Sequence, residues 1–222
     1  MDTGNMVGKA EVLDSLAGVL KALANGRRLE LVELLAQGEH SVDTLARMSG
    51  MAVTTTSAHL QTLKQAGLVR TRRQRTTVFY RLAGDDVAEL YVAAKRVGLL
   101  HSPALRSVLG EYMGQVDAAC EAPTIDPAAV TSNMTVIDVR PLQEYDAGHF
   151  PGSISIPLAE LEQRYIEIPG GAPVVVYCRG EFCRLAREAA QWLRDRGIDA
   201  MAMDEGVIEW RATRTVDLDA IA

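Results

Sequence analysis

Two cysteines, Cys178 and Cys183, lie in the segment Val174-Val175-Val176-Tyr177-Cys178-Arg179-Gly180-Glu181-Phe182-Cys183-Arg184-Leu185-Ala186. The valine run reads as a strand buried on both faces, and residues 184–196 read as an amphipathic helix closed by Gly197. Cys178 therefore falls at the C-terminal end of a buried strand, the edge at which parallel α/β sheets bind ligands. Gly180 permits a tight turn with amides aimed inward. Loop amides and a helix N-terminus direct partial positive charge at the sulfur. Such an environment is expected to favour the thiolate at Cys178, and the thiolate is the nucleophile. Arg179 and Arg184 add positive charge and Glu181 opposes it. Cys178 is the candidate catalytic residue, and Arg179, Gly180, Glu181, Phe182, Cys183 and Arg184 form the candidate active-site loop. The plainer alternative is a pair of inert cysteines at a strand end. Strand, cysteine, glycine loop and helix in that order are more specific than a cysteine pair alone.

A second constellation lies in the first half. Thr54, Thr55, Thr56, Ser57, His59, Gln61 and Lys64 supply short polar donors along a helix predicted from Thr54 to Ala66. Such side chains can reach phosphates and base edges in a major groove. Arg70, Arg72, Arg73, Arg75 and Arg81 follow in a predicted hairpin, residues 68–82, with no acidic residue between them. Arginine there contacts phosphate or enters the minor groove. A Thr/Ser-rich helix start can be only a cap, and an arginine run only a solvated face. Their adjacency in this order favours nucleic-acid binding.

The elements needed to position these groups are legible upstream. Val12–Leu23 and Gly26–Ala36 have helical apolar spacing. Ser41 can cap a short helix, Val42–Met48, with Gly50 making the turn after it. Residues 85–100 and about 103–119 read as helices broken at Ser102-Pro103. The best linker is Glu121–Pro127, punctuated by Pro123 and Pro127. Beyond it, Thr135–Val139, Ser153–Ile156, Pro173–Tyr177 and Asp199–Met203 read as strands. Strand alternating with helix implies an α/β domain with a mainly parallel sheet.

Charge divides the same way. Residues 1–100 hold 13 Lys/Arg against 10 Asp/Glu, a net +3, whereas residues 101–222 hold 10 against 19, a net −9. A basic and an acidic half suggest two domains with different partners. No run of about 18 apolar residues suits a membrane span. The N-terminus lacks an apolar signal region, and an odd count of three cysteines speaks against a disulfide framework. A reducing, cytoplasmic location is expected.

The first half resembles the ArsR family of small bacterial repressors. The matching residues are Ala22-Leu23-Ala24-Asn25-Gly26-Arg27-Arg28-Leu29-Glu30-Leu31-Val32, Ser41-Val42-Asp43-Thr44-Leu45-Ala46, and Ser57-Ala58-His59-Leu60-Gln61-Thr62-Leu63-Lys64-Gln65-Ala66-Gly67-Leu68-Val69. The resemblance implies a winged helix-turn-helix homodimer, built on the first and fifth helices, that reads a palindromic operator in double-stranded DNA. The family's metal sensing does not carry over: residues 40–48 contain no cysteine and His101 stands alone. Paired-cysteine sensing does not carry over either, because Cys120 is the sole cysteine before residue 178. No metal or cofactor is expected.

The second half resembles a single rhodanese domain. The matches are Ile137-Asp138-Val139-Arg140 with Glu144-Tyr145, Gly148-His149-Phe150-Pro151-Gly152-Ser153, Ile156-Pro157-Leu158, the Cys178 loop, and Gly206 with Trp210-Arg211. The resemblance implies that Cys178 attacks the outer sulfur of a donor such as thiosulfate or polysulfide and holds it as a persulfide. Asp138, Arg140 and His149 are by the same resemblance fold and loop supports. The loop departs from the usual family spelling, because Cys183 stands where arginine is usual and Arg184 follows. Cys183 could attack a Cys178 persulfide or form a polysulfide bridge. Cys178 and Arg184 also spell the C-x5-R of related phosphatases and arsenate reductases, although Tyr177 stands where those have histidine.

The expected architecture is multidomain: an α+β winged-helix DNA-binding and dimerisation domain at 1–100, a helix and linker at 101–123, and an α/β rhodanese-like domain at 124–222. The expected function is a DNA-binding regulator, by family default a repressor, with sulfane-sulfur or redox chemistry at Cys178. The alternative is a sulfurtransferase or arsenate reductase-like enzyme tethered to a DNA-binding domain.

Overall fold

A computed structural model describes residues 7–114 and 122–220. The chain divides into two compact units, residues 1–35 with 39–84, and residues 36–38 with 85–222. Cys120 and the C-terminal end of the helix expected at 103–119 lie outside the described residues.

In the first unit, α1 (Lys9–Leu23), α2 (Gly26–Leu35), α3 (Val42–Ser49) and α4 (Val53–Gln65) surround Leu31, Val32, Leu45, Leu60 and Leu63, all buried. Ser41 caps α3 as expected, accepting the Thr44 N–H at 3.2 Å. Gly50 and Gly67 take left-handed φ values of 64° and 76°, ending α3 and the turn after α4 where a side chain would be strained. The hairpin forms from β2 (Val69–Gln74) and β3 (Thr77–Leu82), with Arg73 opposite Val78. A two-residue strand that the sequence did not reveal, β1 (His40–Ser41), adds to β3 and gives the antiparallel order β1-β3-β2.

The second unit contains α5 (Asp85–His101) and α6 (Pro103–Met113). It also contains β4 (Thr124–Ile125), β5 (Thr135–Asp138), α7 (Leu142–Ala147), β6 (Ile154–Ser155), α8 (Leu161–Arg164), β7 (Val174–Tyr177), α9 (Leu185–Arg194), β8 (Ala200–Met203) and α10 (Val207–Thr213). The strands pair in parallel in the order β4-β8-β7-β5-β6. Strand alternation sorts the side chains. Val174, Val176 and Cys178 pack on the face covered by Ala186, Ala189, Ala190 and Leu193 of α9. Val175 and Tyr177 pack on the opposite face with Val207 and Trp210 of α10.

The sequence assigned α5 to the first domain; in the structure it packs on α10 and groups with the second unit. The physical reason lies in its inward stripe, where Val87, Ala88, Tyr91 and Lys95 are buried at helical spacing. Lys95 on that stripe pairs with Glu209 of α10.

Candidate functional site

The cysteine loop is held from several sides. Cys178 follows β7 directly and is 2% exposed. Behind it, Tyr177 donates its hydroxyl proton to Asp138 at 2.6 Å and accepts the Phe150 N–H at 3.0 Å. Asp138 also binds the Arg140 guanidinium, and both are fully buried. His149 stacks on the Tyr145 ring at 3.8 Å between centroids. These contacts fix the β5 and β7 ends from which the loop departs.

Within the loop, the Cys183 N–H donates to the Gly180 carbonyl at 2.9 Å, folding the segment back so that Cys183 packs against the core cluster that contains Cys178. The Arg179 carbonyl accepts the Ile208 N–H at 3.1 Å and the Gln37 amide at 3.3 Å. The Arg179 guanidinium forms a two-pronged pair with buried Glu144, at 2.7 Å for its shortest contact. Glu181 turns to Lys95 at 3.0 Å, and the same ammonium lies 5.1 Å from the centre of the Phe182 ring. Arg184 binds Glu188 at 2.8 Å and donates to the Tyr112 carbonyl at 3.1 Å. The guanidinium that a C-x5-R oxyanion cradle would use is thereby engaged along α9 and toward α6.

Two glycines make room for this arrangement. A Cβ on Gly206 would collide with the Cys178 carbonyl and come within 2.5 Å of the Gly180 nitrogen. A Cβ on Gly180 would lie 2.7 Å from Ile208 and 2.9 Å from Glu209. The loop and the start of α10 touch backbone to backbone there.

The charge distribution corrects the expectation for Cys178. Burial pushes the Cys178 thiol well above the ordinary range, the neighbouring Cys183 sulfur adds to the rise, and the Arg179 charge and N–H only partly offset it. Cys183 is shifted down: the Cys178 S–H first of all, with the Leu185 N–H and the Arg179 charge and N–H, together outweigh its own burial. Leu185 is the first residue of α9. The helix-start amide expected to serve Cys178 thus serves Cys183, and one proton loss from the pair leaves the charge on Cys183. The sequence could not show this, because it depends on the loop folding back by one turn.

Lys95, Glu209, Glu144 and Gln37 were not foreseen as loop supports. Lys95 carried a signal as a lysine in register with the apolar stripe of α5, and Glu144 stood among the rhodanese-like matches without an assigned role.

In the first unit, Thr54, Thr55, Gln61 and Lys64 are exposed along α4, and Ser57 and His59 are half-buried. Thr56 corrects the sequence reading: it is fully buried and donates its hydroxyl proton to the Ala52 carbonyl at 3.0 Å, so it packs instead of facing a groove. Gln61 donates to the Tyr80 hydroxyl at 3.1 Å. Arg70, Arg72, Arg73 and Arg75 are exposed. Arg72, however, is paired with Glu39 at 2.6 Å, an acid lying outside the hairpin in sequence and beside it in space. Arg75 sits at the hairpin tip with φ 55°.

A winged helix-turn-helix and a parallel α/β unit with a two-cysteine loop are thus built into one chain. Residues 25–71 match the family described as bacterial regulatory protein, arsR family, and residues 123–213 match the rhodanese-like domain. The chain is 43% identical to the HTH-type transcriptional regulator Rv0324 of Mycobacterium tuberculosis over 203 residues, 91% of this chain and 90% of that protein. It is 42% identical to the HTH-type transcriptional regulator KmtR of the same organism over 76 residues, 34% of this chain and 58% of that one. A solved structure of the homodimeric winged helix-turn-helix DNA-binding domain (fragment 1-100) of Mb0332 from Mycobacterium bovis is 50% identical. It covers 45% of this chain and 95% of its own, with a TM-score of 0.41. The chain belongs to the ArsR family of bacterial transcriptional regulators, in a form that carries a rhodanese-like domain. Among the described residues no helix is long and apolar enough to cross a membrane.

Proposed function

We propose that the chain is a cytoplasmic repressor that binds a palindromic operator as a homodimer and takes sulfane sulfur on Cys178 of its rhodanese-like unit. The observation that carries the sulfur reading is the placement of Cys178 directly after a buried parallel strand, at the start of a tight loop that returns Cys183 to the same cluster. The donor is a small anion with a terminal sulfane sulfur, such as thiosulfate or polysulfide. Attack by the Cys178 sulfur on that atom leaves a persulfide and releases the remainder, sulfite in the case of thiosulfate.

For DNA, the reading rests on exposed Thr54, Thr55, Gln61 and Lys64 on α4, with Ser57 and His59 half-exposed beside them, and on Arg70, Arg73 and Arg75 of the hairpin. Arg72 joins them once its pair with Glu39 opens. The dimer reading is supported by an apolar face on α1, where Val12, Leu13, Leu16 and Leu20 are each about half exposed or more. Such a stripe is usually covered by a partner.

The test is retardation of a labelled duplex from upstream of the protein's own gene, with and without thiosulfate, for the wild type and Cys178→Ser. The proposal expects a retarded complex whose stability changes with thiosulfate in the wild type alone. Absence of retardation under every condition would overturn the operator reading, and an identical thiosulfate response in Cys178→Ser would overturn the role of Cys178.

A further inference from the structure

We propose that Cys178 and Cys183 form a sulfur-reducing dithiol: a sulfane sulfur taken up on Cys178 is expelled as sulfide when Cys183 closes a Cys178–Cys183 disulfide. This rests on the sulfur uptake proposed above and extends it to the fate of the sulfur. A persulfide in an ordinary rhodanese-like loop waits for an outside acceptor. Here an acceptor is built into the loop itself.

Three observations place it there. Both cysteines are free, and Cys183 packs against the core cluster that contains Cys178. The turn closed by the Cys183 N–H on the Gly180 carbonyl, 2.9 Å, holds them at that spacing without a long loop to order. Cys183 precedes α9 (Leu185–Arg194) by two residues, where the Leu185 N–H and the Arg179 charge favour negative charge on its sulfur.

The chemistry balances with one proton moving along the pair. Once the pair has lost one proton, Cys178 is the thiol and Cys183 the thiolate. As the Cys178 sulfur attacks the outer sulfur of thiosulfate, its proton passes to the neighbouring Cys183 thiolate. The sulfur–sulfur bond of thiosulfate breaks and sulfite leaves with the bonding pair. The products are an ionised persulfide on Cys178 and a thiol on Cys183. Cys183 then attacks the inner sulfur of the persulfide, its Sγ. The bond to the outer sulfur breaks, and that sulfur leaves with the electron pair and the Cys183 proton as hydrosulfide. Two thiols are oxidised to one disulfide, and the sulfane sulfur is reduced by two electrons to sulfide, so no outside oxidant is needed. Cys183 serves first as the nearest base for the Cys178 proton, a part that solvent base takes over more slowly in Cys183→Ser and Cys183→Ala, and then as the resolving nucleophile. The disulfide is the end state of one turnover.

The test uses the full chain, reduced and then freed of reductant, with thiosulfate alone as the probe. Sulfide is measured in solution, and the 178–183 peptide is mapped by non-reducing mass spectrometry. The expected result is one sulfide per chain from the wild type, with a Cys178–Cys183 bond. Cys183→Ser is expected to release none and to retain one extra sulfur on Cys178, and Cys183→Ala to do the same. A wild type that retains the extra sulfur on Cys178, with no internal bond and no sulfide, would overturn the inference while leaving sulfur uptake standing. A wild type and Cys183→Ser that both remain unmodified would overturn the two together. Because the decisive readouts come from the wild type, poor folding of a variant does not shield the proposal.

Discussion

Lys95 of α5 and Glu209 of α10 form an ion pair in the interior of the second unit, with side chains only 4% and 6% exposed. Glu209 has a second task there: its other oxygen accepts the Gly206 N–H at 2.9 Å, closing the start of α10 against the cysteine loop. Lys95 in turn holds Glu181 of that loop. Removing one partner of such a pair strands the other charge in a poorly solvated site. Lys95→Met should therefore lower unfolding stability by about 3–5 kcal/mol. The companion Lys95→Met/Glu209→Gln variant, which removes both charges, should lose distinctly less. Urea unfolding of the two variants against the wild type measures this, and equal losses would show that the pair is not the source.

The same pair sets a pH limit. Burial alone would lower the Lys95 pKa, but Glu209 and then Glu181 outweigh it and hold it above the ordinary lysine range. A group raised in the folded state stabilises the fold below its unfolded pKa, and that contribution disappears as pH rises through the folded one. Wild-type stability should fall on the alkaline side of the ordinary lysine range, and Lys95→Met should show less of that fall. Thermal midpoints across the alkaline range test it.

Gly206 has no room for a side chain, because the atoms a Cβ would strike are the backbone of Cys178, Arg179 and Gly180. Backbone cannot swing aside as a flexible side chain can. Gly206→Ala should cost at least about 1–3 kcal/mol. It should also abolish sulfur uptake by pushing the loop out of shape while leaving operator binding measurable. Retained uptake, read by mass after thiosulfate, would mean the loop adapts.

Alkylation should discriminate between the two thiols. Cys183 is shifted down by the Cys178 S–H first of all, and by the amides of Leu185 and Arg179. Iodoacetamide is expected to label Cys183 before Cys178 when the pH is below the ordinary thiol range. Cys178→Ala removes the S–H donor and should move the Cys183 labelling profile to higher pH. Peptide mapping at short reaction times gives the order.

The hairpin arginines should not be equivalent. Arg73→Ala and Arg75→Ala should each weaken operator binding across all sequences and reduce the salt slope by about 1. Arg72 is already paired with Glu39 at 2.6 Å, so Arg72→Ala should cost less, and Glu39→Gln should tighten binding. Fluorescence anisotropy as a function of salt separates these cases.

Much of this arrangement was legible in the chain. The Ser41 cap, the left-handed Gly50 and Gly67, and the valine strand running into Cys178 all follow from local rules, and all are present. Elements whose stability comes from distant partners were hidden. β1 is two residues long and exists because Tyr80 and Phe79 lie opposite it. β4 is equally short and rests on Ala202 and Met203. The loss of Thr56 from the groove-facing set follows from helix phase, since its neighbours Leu60 and Leu63 share its buried side. At the sulfur site the sequence identified the two cysteines and their arginines. It could not say which sulfur the amides meet, because that is decided by the return of residue 183 onto Gly180.

The central claim is that Cys178 takes sulfur, and Cys183→Ser shows this most directly because the product cannot resolve internally. After incubation with thiosulfate and desalting, tandem mass spectrometry of the loop peptide should find one added sulfur on Cys178, released as thiocyanate by cyanide. A Cys178 of unchanged mass, with no thiocyanate formed, would contradict the account.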